Sequence, residues 1–118
     1  MNDSPQAIDP AELPDIITSY LVAHRARDID VAMRGYAPGA TVTDEGKTYH
    51  GPAEIRAWLS RSASEYTYTS QVTSAAKTGE HDYDVLHHLE GNFPGGTVDL
   101  HFRFRLSNGT ITRLVIEE

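Results

Sequence analysis

The chain has no cysteine. That excludes disulfides, a thiolate nucleophile and any sulfur-ligated metal site. It has no apolar run near the roughly 20 residues that a membrane span needs. Its first residues show no basic segment followed by an apolar one. Neither a membrane association nor a signal peptide is therefore expected, and a cytoplasmic setting is. Positive charge is scarce: 10 Lys and Arg stand against 17 Asp and Glu, a net −7 with His neutral. Such a chain repels phosphate, so nucleic acid is not an expected partner. Arg103, Arg105 and Arg113 gather late in the chain, but Asp82, Asp84 and Asp99 are at hand to pair with them. Neither HExxH nor HxH occurs, so no metal site is expected. Gly95-Gly96 follows Pro94 with no helix pattern behind it, so it is no phosphate loop. No Ser/His/Asp nucleophile arrangement stands out, and no cofactor is expected.

What is present is a single domain over residues 1–118. A chain of this length buries roughly two-thirds of its unfolded surface, enough for a core without staples. Residues 1–9 are polar and lack periodicity, and are expected to form a loose arm. Asp9-Pro10-Ala11-Glu12 carries helix-start chemistry, although Pro14 would cost a hydrogen bond and can delay the regular helix to that point. The stripe Leu13, Ile16, Ile17, Tyr20, Leu21, His24 then recurs at helical spacing. Asp28 caps a second helix with Ile29, Ala32, Met33 and Tyr36 inside, stopped by Pro38-Gly39. Ala40 to Asp44 reads as a short strand, with Glu45-Gly46 as its turn. Gly51-Pro52-Ala53-Glu54 starts a third helix whose buried side is Ile55, Trp58, Leu59 and Ser62.

The second half changes period. Residues 66–77, 81–90, 97–106 and 110–117 read as strands. The third alternates cleanly, with Val98, Leu100, Phe102, Phe104 and Leu106 on one face. Helices first and antiparallel strands afterwards predict an α+β domain with three N-terminal helices on one face of a curved sheet.

The order of these segments carries a resemblance. Tyr20-Leu21, Ala23-His24 and Arg27-Asp28-Ile29-Asp30 open it, and Tyr36-Ala37-Pro38-Gly39-Ala40-Thr41-Val42-Thr43-Asp44 follows. Then come Tyr49-His50-Gly51-Pro52-Ala53-Glu54-Ile55-Arg56-Ala57-Trp58, Gly91-Asn92-Phe93-Pro94-Gly95 and His101-Phe102-Arg103-Phe104. Over about residues 10–117 the chain resembles the nuclear transport factor 2-like superfamily, and within it the SnoaL-like, polyketide cyclase-like group. The resemblance implies a cone-shaped roll: a strongly curved, mostly antiparallel sheet around three helices, with an apolar pocket. It also implies a homodimer. The expected dimer face is the outer sheet surface bearing Tyr83, His87, His101, Arg103 and Arg105.

The resemblance to ketosteroid isomerases within that superfamily implies roles for two residues. Tyr20 falls on their oxyanion-donating tyrosine and Asp44 on their aspartate general base. Their second oxyanion group, a protonated aspartate, is Leu100 here. From residue type alone, Asp44 reads as a turn aspartate bonded to nearby backbone, and it is the resemblance that sets the general-base reading beside it. Tyr20 can equally be a core tyrosine whose hydroxyl finds a partner. His87 and His88 are adjacent on a strand and so face opposite sides. If Gly91 lies opposite Thr97, His88 faces the pocket and supplies the polar group that Leu100 lacks. A slip of one residue puts His87 there instead. His24 is either a pocket-mouth residue or a satisfied core histidine.

The expected catalytic set is thus Asp44, Tyr20 and His88. The expected ligand-binding wall is Ile17, Tyr36, Trp58, Leu100, Phe102 and Phe104. The expected function is binding of a small hydrophobic ligand, with acid–base isomerase- or cyclase-type turnover of a ketone or enol as its catalytic form. The rival is a non-catalytic binding or interaction module of the same fold. A dehydratase or epoxide hydrolase would need more pocket polar groups than these.

Overall fold

A computed structural model describes residues 5–65 and 67–118. Tyr66 and residues 1–4 lie outside the described residues, so the expectations for them are not taken further. The helices are α1 (Asp15–Ala26), α2 (Ile29–Met33) and α3 (Gly51–Glu65). The strands are β1 (Gln6–Ile8), β2 (Tyr36–Asp44), β3 (Lys47–His50), β4 (Tyr68–Lys77), β5 (Asp82–Gly91), β6 (Thr97–Ser107) and β7 (Thr110–Glu117). They form one curved, seven-stranded sheet in the order β1-β4-β5-β6-β7-β2-β3, antiparallel except where β2 runs parallel to β7. The three helices pack on one face of it, so the expected α+β architecture is the observed one.

Local chemistry explains the helix starts. The Asp9 carboxylate accepts from the Ala11 N–H at 2.9 Å, and Glu12 accepts from the Asp9 N–H at 3.0 Å. This capping box supports only one 3₁₀ turn, Pro10–Glu12. The regular helix waits for Pro14, whose carbonyl accepts from Ile17 and Thr18. Asp28 caps α2 through the Val31 N–H at 3.2 Å.

Three expectations are corrected here. Gln6–Ile8 is not part of a loose arm: it pairs with Lys77, Ala76 and Ala75 and covers the open edge of β4. Tyr36 is not on the second helix, which stops at Met33; it begins β2. Pro38-Gly39 lies inside that strand, between the paired positions Tyr36 and Thr41, where the register shifts. A proline fits a strand at such an irregularity because no ladder bond is demanded of its nitrogen there.

The core lies between the helices and the inner sheet face. Ile17, Ala40, Val42, Ile55, Val85, Ile111 and Leu114 are fully buried. Fully burying side chains of this size stabilises the fold by about 1.5–3 kcal/mol apiece for the larger ones. On the outer face, His101 and Arg103 pair with Asp84, Arg103 also pairs with Glu117, and Arg105 pairs with Asp82. Asp99 pairs with His88 rather than with an arginine.

Candidate functional site

The β2–β3 hairpin turns through Glu45 and Gly46, both at positive φ (53° and 77°), so Asp44 pairs with Lys47 and Val42 with Tyr49. Alternation along β2 places Asp44 on the same face as Ala40 and Val42, the inner one. Beside it, across the parallel pairing, stands Ile116. The Asp44 side chain is thereby carried to the wall of a cavity of about 670 Å³. The described residues around it include Tyr49, Trp58, Tyr68, Leu89, Phe93, Val98, Leu100 and Phe102. Glu45, Arg61 and Glu117 add charge to the lining.

The carboxylate is held from α3. The indole Nε1 of Trp58 donates to Asp44 Oδ2 at 3.0 Å. Trp58 in turn lies between Tyr49 (ring centroids 6.2 Å apart) and His24 (6.1 Å). Arg61 donates to the Tyr49 hydroxyl at 2.9 Å and lies over that ring at 5.5 Å.

His24 separates the cavity from what lies behind it. Its ring meets Phe102 edge-on at 5.7 Å and Tyr20 at 5.7 Å. Burial pushes the imidazole down to about 4, and the proximity of His87 adds to this. His24 is therefore neutral at pH 7, with one ring nitrogen a donor and the other an acceptor. His87 is buried against Phe102 at 4.2 Å. Burial takes it to about 4 as well; its bond to the Val85 carbonyl opposes that and Arg25 adds to it. A carbonyl only accepts, so His87 Nδ1 carries the proton in the neutral ring.

The expected catalytic residues are thus divided. Asp44 lines the cavity. Tyr20 does not: it is buried behind His24, where its hydroxyl accepts from Tyr36. Burial raises both phenols well above their ordinary range. The stripe that carries Tyr20 also carries His24 one turn later, and it is His24 that reaches the void. His88 is corrected outright. Glu90, not Gly91, pairs with Thr97, so His88 lies opposite Asp99 and His87 opposite Leu100. His88 points outward and bonds Asp99 at 2.7 Å and Glu90 at 3.0 Å; those two carboxylates raise its pKa. The same register turns Tyr83 and His87 inward, so only His101, Arg103 and Arg105 of the expected outer set face outward.

Of the expected ligand wall, Trp58, Leu100 and Phe102 line the cavity. Ile17, Tyr36 and Phe104 do not; they are core residues packed around Tyr20 and the helices. Tyr49, Tyr68, Leu89 and Phe93 were missed as wall residues. Tyr49 was legible, since a two-residue turn at Glu45-Gly46 puts it opposite Val42 on the inner face. Phe93 was not, because a loop has no period to read. Among the described residues, no group of three His, Asp or Glu is placed to hold a metal ion. No described helix is long and apolar enough to cross a membrane.

Comparison with known proteins adds to this geometry. Residues 17–114 match the family model described as a SnoaL-like domain. No curated protein matches. A Sinorhizobium meliloti structure, that of a candidate polyketide cyclase, is 29% identical with a TM-score of 0.86, over 93% of this chain and 100% of its own. A protein with a ketosteroid isomerase-like fold from Catenulispora acidiphila, solved with trimethylamine, is 19% identical (TM-score 0.77; 89% of this chain, 85% of its own). The Δ5-3-ketosteroid isomerase of a Mycobacterium species is 17% identical (TM-score 0.71; 87% and 88%). The last two show a shared fold alone.

Proposed function

The chain belongs to the SnoaL-like domain family, and from that premise we propose that its cavity binds a small, largely apolar ketone or enol on which Asp44 moves a proton. The observation that carries this reading is the placement of the Asp44 carboxylate, bonded to the Trp58 indole, beside Tyr49, Tyr68 and Phe102 in the cavity wall. A volume of about 670 Å³ is in the range of small-molecule sites. A carboxylate beside apolar rings abstracts a proton next to a carbonyl when the ligand's C–H is brought within hydrogen-bond reach. In this reading neutral His24 supports the developing enolate oxygen by donating a hydrogen bond, the part first expected of Tyr20.

The test uses 2-tetralone, a flat aromatic ketone with acidic ring protons. Trp58 is the sole tryptophan, so quenching of its fluorescence reports binding at this cavity. Deuterium exchange at the acidic carbon reports proton transfer. Binding together with exchange that falls about 100-fold or more in Asp44→Asn supports the reading. No quenching at millimolar ligand refutes it.

A second reading is favoured by the position of Tyr20. With that phenol off the cavity, the expected pair of proton-handling groups is not assembled. Binding without exchange, or exchange indifferent to Asp44→Asn, would leave a non-catalytic binding module.

A further inference from the structure

Tyr20 leaves the cavity without the phenol first expected there, but β4 brings another. Tyr68 opens β4 and pairs with Gly91, two residues beyond Leu89 on β5. Residues paired across antiparallel strands share a face, so Tyr68 lies on the inner side with Leu89, and both line the cavity. The strands approach closely here because position 91 has no side chain: a Cβ there would lie 2.6 Å from Tyr68 Cβ. The last turn of α1 meets the Tyr68 ring. Arg27 ends that helix at positive φ (59°), and its guanidinium lies over the ring, 5.8 Å from the centroid. His24 stands one turn earlier on α1. His24 and Tyr68 both border the cavity, and both border a small adjoining recess of about 10 Å³. The two side chains are therefore neighbours on the cavity wall.

The Tyr68 hydroxyl is not tied into the fold. Among the described residues it has no hydrogen-bond partner, whereas the hydroxyl of Tyr36 donates to that of Tyr20. Nor is any described side-chain oxygen both sealed from the surface and unpartnered, so the Tyr68 oxygen opens onto the space that its residue lines. Burial raises the pKa of this phenol; Arg27 opposes that, and the Asp44 carboxylate adds to it. The hydroxyl is therefore protonated at pH 7 and able to donate.

We propose that Tyr68 holds the ligand's carbonyl oxygen, donating its O–H to it beside the donor supplied by His24. The proposal rests on the reading of Asp44 as the proton-transfer group. As the ligand's C–H proton passes to the Asp44 carboxylate, the C–H electron pair forms a C=C bond and the carbonyl π pair moves onto oxygen. Tyr68 keeps its own proton and stabilises that oxyanion through the hydrogen bond. The reverse step returns a proton, or a deuteron taken from solvent, from Asp44 to carbon, and the carbonyl is restored.

Tyr68→Phe removes the hydroxyl and keeps the ring beneath Arg27. The probes are 2-tetralone and tetralin, which share a carbon skeleton and differ in the carbonyl oxygen. Calorimetry should show 2-tetralone binding about 3- to 10-fold more weakly to Tyr68→Phe, with tetralin held within about twofold. Exchange of bound 2-tetralone should fall about 100-fold. The urea midpoint should match wild type, because no hydrogen bond between described residues is removed. An unchanged ratio of the two affinities overturns the proposal. So does a lowered midpoint with both ligands weakened alike, which would make Tyr68 a packing residue. Exchange that falls in Asp44→Asn but not in Tyr68→Phe overturns the proposal and leaves the reading of Asp44 standing. Loss of 2-tetralone affinity alone in Tyr68→Phe, in a protein whose wild type exchanges nothing, keeps the Tyr68 hydrogen bond and discards the proton-transfer role of Asp44. A wild type that takes up neither compound overturns both.

Discussion

Acidification from pH 7 to pH 5 should destabilise this protein by charging two histidines that the core keeps neutral. His24 and His87 sit at about 4 in the folded state, against 6.5 without the fold. A folded value below the unfolded one means that the unfolded chain binds protons first. Stability is therefore present above about pH 6.5 and is lost as pH falls toward 4. Between pH 6.5 and 5, each histidine removes about 1.5 kcal/mol, with His24 somewhat less because part of its ring faces the cavity. Together they remove about 3 kcal/mol from a fold whose whole stability is of order 5–15 kcal/mol. His88 works in the opposite direction, since Asp99 and then Glu90 raise its pKa, but it is exposed and its contribution is small. The assay is urea unfolding followed by far-UV circular dichroism at half-unit steps from pH 7.5 to 5. His87→Phe keeps a ring against Phe102 and removes one titrating group. It should cost about 1 kcal/mol at pH 7 through the lost bond to the Val85 carbonyl, yet halve the loss on acidification. A wild-type midpoint that does not fall between pH 6.5 and 5 refutes the reasoning. So does a His87→Phe protein with an undiminished slope.

Three further outcomes follow from the geometry. Tyr20→Phe should leave 2-tetralone binding within about twofold of wild type while costing about 1–2 kcal/mol of stability, because the Tyr36 hydroxyl loses its partner behind His24; a tenfold loss of binding would put Tyr20 on the ligand after all. Gly91→Ala should cost about 1–3 kcal/mol in urea unfolding, since a Cβ there would lie 2.5 Å from the Thr67 carbonyl and 2.6 Å from Tyr68 Cβ; an unchanged midpoint would contradict that close approach. We propose that two copies pair through the outer sheet face around His101, Arg103 and Arg105, so light scattering at micromolar concentration should give twice the chain mass; the monomer value of 13.0 kDa would contradict it.

The elements whose signal is periodic were legible in the residues themselves. The alternation from Val98 to Leu106 placed β6 and its inner face, because a strand's period of two is written inside one segment. Gly51-Pro52-Ala53-Glu54 placed the start of α3, because its helix-start chemistry is local. Asp44 was placed in the site by the resemblance alone, and it was the pairing of β2 with β7 that put it on the inner face. The choice between His87 and His88 was not local. It depended on the pairing of β5 with β6, and that depended on how Asn92–Gly96 closes. The loop folds back through the Gly91 N–H to the Gly96 carbonyl at 2.9 Å, with Gly95 and Gly96 both at positive φ. One step of register exchanges the two faces of the strand. Nor could the α1 stripe say which of Tyr20 and His24 meets the void. Both lie on the buried side of one helix, and the curvature of the sheet decides where packing stops and space begins. The Trp58–Asp44 bond belongs to the same class. Each residue was readable on its own element, but their meeting required α3 to be laid across the end of β2 by the packing of the whole core.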